Sequence, residues 1–235
     1  MNISKPPGAL SLGKKIAVLG VTALMALSTA SPAMADEPVP NSGNLTEVAL
    51  GTTTSVTEYD PNCVEQVKDI AQKQGIADPN LDICEFTITT TVSAGKTPTL
   101  ADIWSDEGLS ATAKSQLAQS VLAGNRIVTR NWIQQVNGVA YLQTHRGRAY
   151  ADGNRAWSTN SYRGVSGYHA CNTDYIVGGA INMQYCGGWF TGNKLVQQHQ
   201  FTVSAYFEGF PVTVSRAMTT HIGVGGRVWK TWRYL

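Results

Sequence analysis

The four histidines of the chain all lie in its second half, and they are the side chains best suited to acid–base chemistry or metal binding. These residues are His145, His169, His199 and His221. Catalysis by a histidine base also needs a nucleophile beside it and an acid that orients it. Ser215 and Thr219 fall on the same strand face as His221, but no acid accompanies them, and the chain contains neither a G-x-S-x-G nor an H-E-x-x-H motif. The sequence therefore leans against an enzyme.

An Asn-Gly pair at 137–138, between two alternating segments, is the strongest hairpin signal in the chain. A hairpin at this point pairs Arg130 with His145 and puts Trp132 and Tyr141 on the same face. A face that is both cationic and aromatic can hold sugars, phosphates or unstacked bases. The simpler interpretation is an ordinary solvated face whose aromatic rings pack on a neighbouring element.

A second hairpin is expected at 209–210, with Phe207 opposite Val212. In this register one face of both strands is apolar and the other is rich in Ser, Thr and Gln, and a slip of one residue would destroy that agreement. His199 and Arg216 fall on the apolar face. A buried arginine is costly unless it is paired, so we expect an acidic partner from the first part of the exported chain. Arg216 then makes either a structural ion pair or, with His199, a pocket for an anion.

Residues 1–35 have the three parts of a secretory signal peptide rather than those of a membrane anchor. A start that contains lysines and no acids precedes a 15-residue apolar run at 16–30, which is short for a membrane span. Small residues at 33 and 35 occupy the two positions that a signal peptidase reads. We therefore predict cleavage after Ala35, a secreted, extracellular protein and no transmembrane segment in the mature chain.

The exported part contains an even number of cysteines, which outside the cytoplasm favours disulfides. The local pairing joins Cys63 to Cys84 and Cys171 to Cys186, and each bond closes a short loop. The alternatives are a zinc site or a thiol nucleophile. No C-x-x-C spacing exists, however, and only His169 lies close to a cysteine in the sequence. The sequence thus predicts neither a metal nor a cofactor.

The charge of the exported part is divided along the chain. Residues 36–107 contain 13 acids and three bases, a net charge of −10, whereas residues 108–235 contain three acids and 12 bases, a net charge of +9. Three interpretations are open. The two parts neutralise each other within one folded unit, or the acidic part is a pro-segment that covers a basic functional domain, or the basic part faces an anionic partner.

Turn residues and hydrophobic periodicity give the order of elements. Residues 36–46 are typical of a flexible leader. An acidic part, 47–124, begins with a β-α-β pattern whose helix is capped by Asp60 and stopped by Gly75. A basic part, 125–235, alternates as β-strands, either as its own domain or as one unit with the acidic part. The predicted fold class is α+β: a small N-terminal β-α-β part with two helices, then a mainly antiparallel β-sandwich or barrel.

These features predict a secreted, disulfide-stabilised protein that binds an anionic cell-envelope polymer, a glycan or a protein partner, whereas nucleic acid is not favoured. The candidate binding residues are Arg130, Trp132, Tyr141, His145, His199 and Arg216. The alternative is a secreted hydrolase or nuclease whose site is assembled from His145, Glu208 and Arg216. A cleft that holds any two of these five residues, the four histidines and Glu208, within hydrogen-bond reach would favour the enzyme. Isolated histidines and a flat aromatic and cationic face would favour binding.

Overall fold

The computed structural model describes residues 45–158, 161–162, 165–166 and 169–235. The predicted signal peptide and most of the predicted leader lie outside the described residues. The helices are α1 (Pro61–Gln74), α2 (Leu100–Ser105) and α3 (Ala111–Leu122). The strands are β1 (Thr46–Glu47), β2 (Thr53–Tyr59), β3 (Glu85–Ala94), β4 (Val128–Gly138), β5 (Tyr141–Ala151), β6 (Ala156–Ser158), β7 (Ser161–Tyr162), β8 (Val165–Ser166), β9 (Ala170–Ile176), β10 (Gly179–Thr191), β11 (Lys194–Phe207), β12 (Phe210–Ile222) and β13 (Val228–Tyr234).

The strands form two antiparallel sheets and a two-stranded ribbon of β7 and β8. The five-stranded sheet has the order β1-β13-β12-β11-β10, and the six-stranded sheet has the order β2-β3-β4-β5-β6 with β9 also paired to β5. Within the described residues neither sheet closes on itself. The prediction of mainly antiparallel β-structure is confirmed. The expected β-α-β unit differs in one respect, because β2 and β3 are antiparallel neighbours that pair directly.

The inner faces of the two sheets pack on each other through two hydrophobic clusters. The first cluster joins β3 to β11 and β12, and its members include Phe86, Ile88, Phe201 and Met218. The second cluster lies further along the same strands, and its members include Val92, Trp132, Leu195 and Ile222. The opposite face of β5 is covered by α2 and α3, which pack around Tyr150. Both faces of the six-stranded sheet are therefore partly buried.

Helix α1 begins and ends where the sequence predicts. The Asp60 side chain caps it by accepting hydrogen bonds from the backbone N–H groups of Asn62 and Cys63. Pro61 occupies the first helical position, where a missing N–H costs nothing. Gly75 ends the helix with φ at 72°, a left-handed conformation that favours glycine.

The first hairpin, between β4 and β5, closes two residues later than predicted. Its loop is 139–140, so Arg130 lies opposite Ala149 and His145 lies opposite Gln134. The predicted pairing of Arg130 with His145 is therefore wrong by four positions. Because this number is even and side chains alternate along a strand, the predicted faces are kept.

A close contact explains where this hairpin closes. Gly138 is the last residue of β4 and lies opposite Tyr141, which is buried. A Cβ atom at Gly138 would stand 2.3 Å from Cε1 of Tyr141, so only glycine lets the ring cross the end of the strand. The glycine of the Asn-Gly pair is thus used inside a strand rather than in the turn.

The second hairpin, between β11 and β12, has the loop 208–209. Glu208 and Gly209 both have positive φ, at 48° and 81°, as in a type I′ turn. Phe207 consequently lies opposite Phe210 and not opposite Val212 as predicted. This shift of two positions is also even, so the predicted apolar face still points inward.

Both cysteine pairs form disulfides in the local pairing that the sequence favours. The bond from Cys63 to Cys84 joins the first turn of α1 to the start of β3. The bond from Cys171 to Cys186 joins β9 to β10. Because β9 belongs to the six-stranded sheet and β10 to the five-stranded sheet, the second bond links the two sheets.

Replacing both Cys63 and Cys84 with alanine is expected to lower the free energy of unfolding by about 3 kcal/mol, because the bond closes a loop that costs entropy in the unfolded chain. The two residues are 21 positions apart. Urea titration of the variant against the parent protein measures the loss. The matched replacement of Cys171 and Cys186, 15 positions apart, is expected to cost a similar amount. An unchanged urea midpoint in either variant would contradict this expectation.

Candidate functional site

A layer of buried polar side chains separates the two hydrophobic clusters between the sheets. On β3, Phe86 and Ile88 belong to the first cluster and Val92 to the second, and the buried Thr90 lies between them. The same order recurs on β4, β5, β11, β12 and β13. The members of this polar layer are Thr90, Gln134, Gln143, His145, Gln197, His199, Thr220 and Lys230. Burial of polar groups costs free energy, so stability alone does not account for the layer.

Three histidines come together at the polar layer. His145 on β5 and His199 on β11 reach it from opposite sheets, and His169 reaches it from the position before β9. The ring centroid of His145 lies 4.7 Å from that of His169 and 6.0 Å from that of His199. All three side chains are at most 1% exposed. We refer to His145, His169 and His199 as the histidine cluster.

The disulfide between the sheets is built into the surroundings of the histidine cluster. Cys171 lies directly opposite His145 in the β5–β9 pair, and Cys186 lies directly opposite His199 in the β10–β11 pair. The Cys171–Cys186 bond therefore ties together the two strands next to those that carry the histidines. This covalent link constrains the distance between the two imidazoles.

Apolar rings surround the histidine cluster. The ring centroid of Trp132 lies 4.5 Å from that of His145, and the ring centroid of Phe201 lies 5.0 Å from that of His199. A Cβ atom at Gly147 would come within 2.8 Å of the Trp132 ring, so glycine is needed for the indole to lie against β5. The imidazoles of His145 and His199 thus each pack against an aromatic ring.

Burial keeps these imidazoles neutral. It lowers the pKa of His145 well below its usual range, and the neighbouring His169 and His199 lower that pKa further. Burial lowers the pKa of His169 to about 4, against a smaller upward effect from the backbone of Gln198. Burial first and His169 second lower the pKa of His199 to about 3. A neutral imidazole has a free lone pair that can accept a proton or ligate a metal.

The polar atoms of this region have few partners among the described residues. Neither ring nitrogen of His145 or His199 has a hydrogen-bond partner there, nor does the carboxamide of Gln134, which lies opposite His145. One ring nitrogen of His145, one of His169 and the Sγ atom of Cys171 lie within 4.8 Å of one another. An unpaired buried polar group costs about 1–3 kcal/mol, so such a set points to an ion, a ligand or water.

Arg216 makes a buried ion pair. Its Nε and Nη2 atoms each lie 3.0 Å from Oδ2 of Asp60, and both side chains are buried. Arg216 also donates a hydrogen bond to the hydroxyl of Tyr141, and its guanidinium lies 3.8 Å from the ring centroid of Phe86. The partner therefore comes from the acidic part of the chain, and the contact is the structural ion pair rather than an anion pocket shared with His199.

The remaining candidate binding residues also point into the fold. Trp132, Tyr141 and His145 are at most 5% exposed. Arg130 is half-buried, and its Nε atom donates to the carbonyl oxygen of Gly226 at 2.9 Å. The cationic and aromatic face inferred from the sequence thus exists on β4 and β5, but it faces the opposite sheet instead of solvent.

An exposed aromatic pair lies on β10, and the sequence had not pointed to it. Tyr185 is 39% exposed and Trp189 is 41% exposed. Tyr185 lies opposite Gln200 and Trp189 lies opposite Val196, which places both rings on the outer face of the five-stranded sheet. Gly187 lies between them, and a Cβ atom there would stand 2.5 Å from the hydroxyl oxygen of Tyr185. Glycine at this position therefore leaves room for the end of the Tyr185 ring to lie over the same strand.

A row of amides and a hydroxyl continues this outer face. The Nε2 atom of Gln200 donates to Oε1 of Gln198 at 2.6 Å, and the Nε2 atom of Gln198 donates to Oγ1 of Thr219 at 3.0 Å. The hydrogen bonds fix the amides beside the two rings. We call the set the aromatic–amide face, and its members are Tyr185, Trp189, Gln198, Gln200 and Thr219.

The described residues do not assemble the hydrolase or nuclease site of the alternative hypothesis. Glu208 lies in the turn between β11 and β12, while His145 is buried between the sheets and Arg216 is paired with Asp60. Three histidines do lie together, but they are buried rather than in an open cleft. In the described part of the chain no carboxylate accepts a hydrogen bond from His145 or His199 to orient it.

The acidic and basic parts of the chain contact each other through ion pairs. Three such pairs among the described residues are Asp60–Arg216 at 3.0 Å, Asp106–Arg148 at 3.5 Å and Glu47–Arg227 at 3.7 Å. In addition, β3 from the acidic part pairs along its length with β4 from the basic part. The acidic and basic parts are thus joined by both ion pairs and strand pairing.

No protein-family model, curated protein or solved structure matches this chain. Among the described residues no helix combines the length and the apolar character needed to cross a membrane. The function is therefore argued from the geometry of the histidine cluster, the buried ion pair and the aromatic–amide face.

Proposed function

We propose that the protein is exported and binds a glycan on its aromatic–amide face. The observation that carries this proposal is the pair of exposed rings, Tyr185 and Trp189, on the same strand face as a fixed row of amides. The two disulfides fit a protein that works outside the cytoplasm. The predicted signal peptide supports the same location.

The chemistry of the face matches that of a sugar. The C–H groups of a pyranose carry small positive charges and pack on the negative face of an aromatic ring. The carboxamide of Gln200, which is half-buried, offers donors and acceptors to the hydroxyl groups of the same sugar, and the buried Gln198 holds this amide in place. The Cα atoms of Tyr185 and Trp189 are about 13 Å apart along the strand, and the Tyr185 ring lies over Gly187 between them, so the two rings line one stretch of the same strand face.

The charge of the face favours a glycan over a polyanionic polymer. All five side chains of the aromatic–amide face are neutral, whereas a site for a polyanion normally contains lysine or arginine. The cationic candidates Arg130 and Arg216 are half-buried and buried, respectively, and both already hold partners within the fold. Binding to the anionic polymer predicted from composition is therefore the less supported of the two partners.

Replacing Tyr185 or Trp189 with alanine is expected to weaken glycan binding about fivefold to thirtyfold for each ring, since one aromatic contact contributes on the order of 1–2 kcal/mol. The measurement is co-sedimentation of the exported protein with insoluble polysaccharides, including peptidoglycan and chitin, followed by calorimetry with soluble fragments. Replacement of both rings is expected to abolish retention.

Phe210→Ala provides the matched control, because Phe210 is an equally exposed aromatic residue, 43% exposed, at the distant end of the β11–β12 hairpin. This variant is expected to bind as the parent does. Equal retention of the parent and the double-ring variant, or no retention of the parent on any polysaccharide of the panel, would overturn the proposal.

A further inference from the structure

We propose that the histidine cluster binds a first-row transition metal ion, Zn²⁺ in the first instance, between the two sheets. The site uses one nitrogen from each of His145, His169 and His199. It lies inside the fold and is separate from the aromatic–amide face, so the two proposals stand on different observations.

The spacing of the rings fits a shared ion. Zinc binds imidazole nitrogen at about 2.0–2.1 Å in a tetrahedral arrangement, which places the centroids of two ligating rings roughly 5 Å apart. The observed centroid distances from His145, 4.7 Å to His169 and 6.0 Å to His199, lie on either side of that value. His145 and His169 already hold one nitrogen each within 4.8 Å of the other, and a rotation of the His199 side chain would bring a third nitrogen to the same ion.

The unpaired nitrogens supply the second reason. Both ring nitrogens of His145 and of His199 lack a hydrogen-bond partner among the described residues, although these side chains are completely buried. A buried polar group without a partner is uncommon in native proteins, and an unplaced ion is one of its standard explanations. Without an ion, burial of the three imidazoles of the histidine cluster would lower the stability of the folded protein.

The donor set determines the class of metal. Neutral imidazoles favour zinc, copper and nickel, whereas calcium and magnesium require oxygen ligands. Cys171 lies within 4.8 Å of two of the histidines, but its sulfur is bonded to Cys186 and is no thiolate. The site is therefore a three-nitrogen site in the oxidised protein. The unpaired carboxamide of Gln134 lies opposite His145 on the same face and is a protein group that could complete the coordination.

Because the three histidines are buried, the ion has to bind while the protein folds. The three histidines come from β5, from the position before β9 and from β11, so the ligands converge only when the two sheets have packed. The metal is thus taken up during folding and stabilises the folded state, as in structural zinc sites. Because burial leaves the imidazoles uncharged, no proton has to be displaced for binding at neutral pH.

The test is refolding of the oxidised, mature protein with Zn²⁺, followed by dialysis and elemental analysis. About one zinc per chain is expected, together with a higher melting temperature than that of protein refolded with a chelator. Refolding with Co²⁺ is expected to give the intense visible bands of a tetrahedral site. Competing Cu²⁺ and Ni²⁺ in the same experiment identify the preferred ion.

The variants His145→Leu and His199→Leu are expected to weaken zinc binding roughly 100-fold or more. Each should still fold, because the substitution removes an unpaired polar group and keeps a side chain of similar size. His221→Asn is the matched control, because His221 lies on the outer face of β12, opposite Val196. This variant is expected to bind zinc as the parent does. Far less than one zinc per chain in the parent, or full occupancy in His145→Leu, would overturn the proposal without affecting the one for glycan binding.

Discussion

Arg216→Met is expected to destabilise the protein by about 3–5 kcal/mol, the usual cost of removing one partner from a buried ion pair. The variant leaves Asp60 completely buried, with only the α1 cap to hold its charge. It also removes the hydrogen bond to the hydroxyl of Tyr141 and the stacking on Phe86. This is a large share of the stability of a domain of this size.

Urea unfolding at pH 7 measures the effect of Arg216→Met, and Arg148→Met is its matched control. Arg148 pairs with Asp106 at 3.5 Å, but its side chain is 48% exposed, so its loss is expected to cost about 1 kcal/mol or less. The double variant Asp60→Asn with Arg216→Met is expected to lose less than the sum of the single variants, because no unpaired charge remains. If Arg216→Met unfolded at the same urea concentration as Arg148→Met, the buried pair would not have the role described here.

The sequence was sufficient to predict that Arg216 pairs with an acid from the first part of the exported chain, because this inference needed only the positions of the charged residues. An arginine on an apolar strand face requires an acid, and the second half of the chain has only three. The helix that starts after Asp60 could also be predicted from the sequence. Its N-cap, its first-turn proline and its final glycine are local signals, each of which depends only on residues close by in the chain. Which of the acids would be used depended on packing and could not be read.

The registers of the two hairpins could not be deduced because the sequence constrains faces more strongly than positions. Alternation has a period of two, so shifts of four positions in one hairpin and two in the other leave every side chain on its predicted face. Only local contacts separate these registers. They are the packing of Tyr141 over Gly138 and the positive φ angles at 208–209.

The histidine cluster could not be predicted from the sequence, for a different reason. His145 and His199 were each assigned to the correct strand face, but nothing in the alternation indicates that these two faces meet. The aromatic–amide face was missed because β10 runs to Thr191 through the Gly-Gly pair at 187–188, where glycines interrupt the alternation of side chains. A continuous strand that includes the Gly-Gly pair at 187–188 would have revealed Trp189 on the same face as Tyr185.

The metal-free protein is expected to lose stability as the pH falls from about 6.5 towards 4, since an unperturbed histidine titrates near 6.5. In the folded state the pKa is lowered by burial to about 4 for His169 and to about 3 for His199, and it lies well below its usual range for His145. Below pH 6.5 the unfolded chain therefore binds protons that the folded protein cannot accept, and the free energy of unfolding falls. Above pH 6.5 both states are neutral at these positions and the stability is complete.

Each of these imidazoles contributes a slope of up to about 1.4 kcal/mol per pH unit, so three together can consume the stability of a typical domain within two units. Urea midpoints measured from pH 7.5 to pH 4 in the presence of a chelator follow this loss. His145→Leu is expected to reduce the slope by the contribution of one histidine, about 1.4 kcal/mol per pH unit.

His221 adds a separate titration, because burial and the charge of Lys194 lower its pKa to about 4. The variant His221→Asn removes this titration. A midpoint that stays constant between pH 7 and pH 5 would contradict the expectation, because it would mean that the buried imidazoles accept protons in the folded state as readily as in the unfolded chain. Bound Zn²⁺ is expected to move the acid transition to lower pH, because protons must then displace the metal before the cluster can charge.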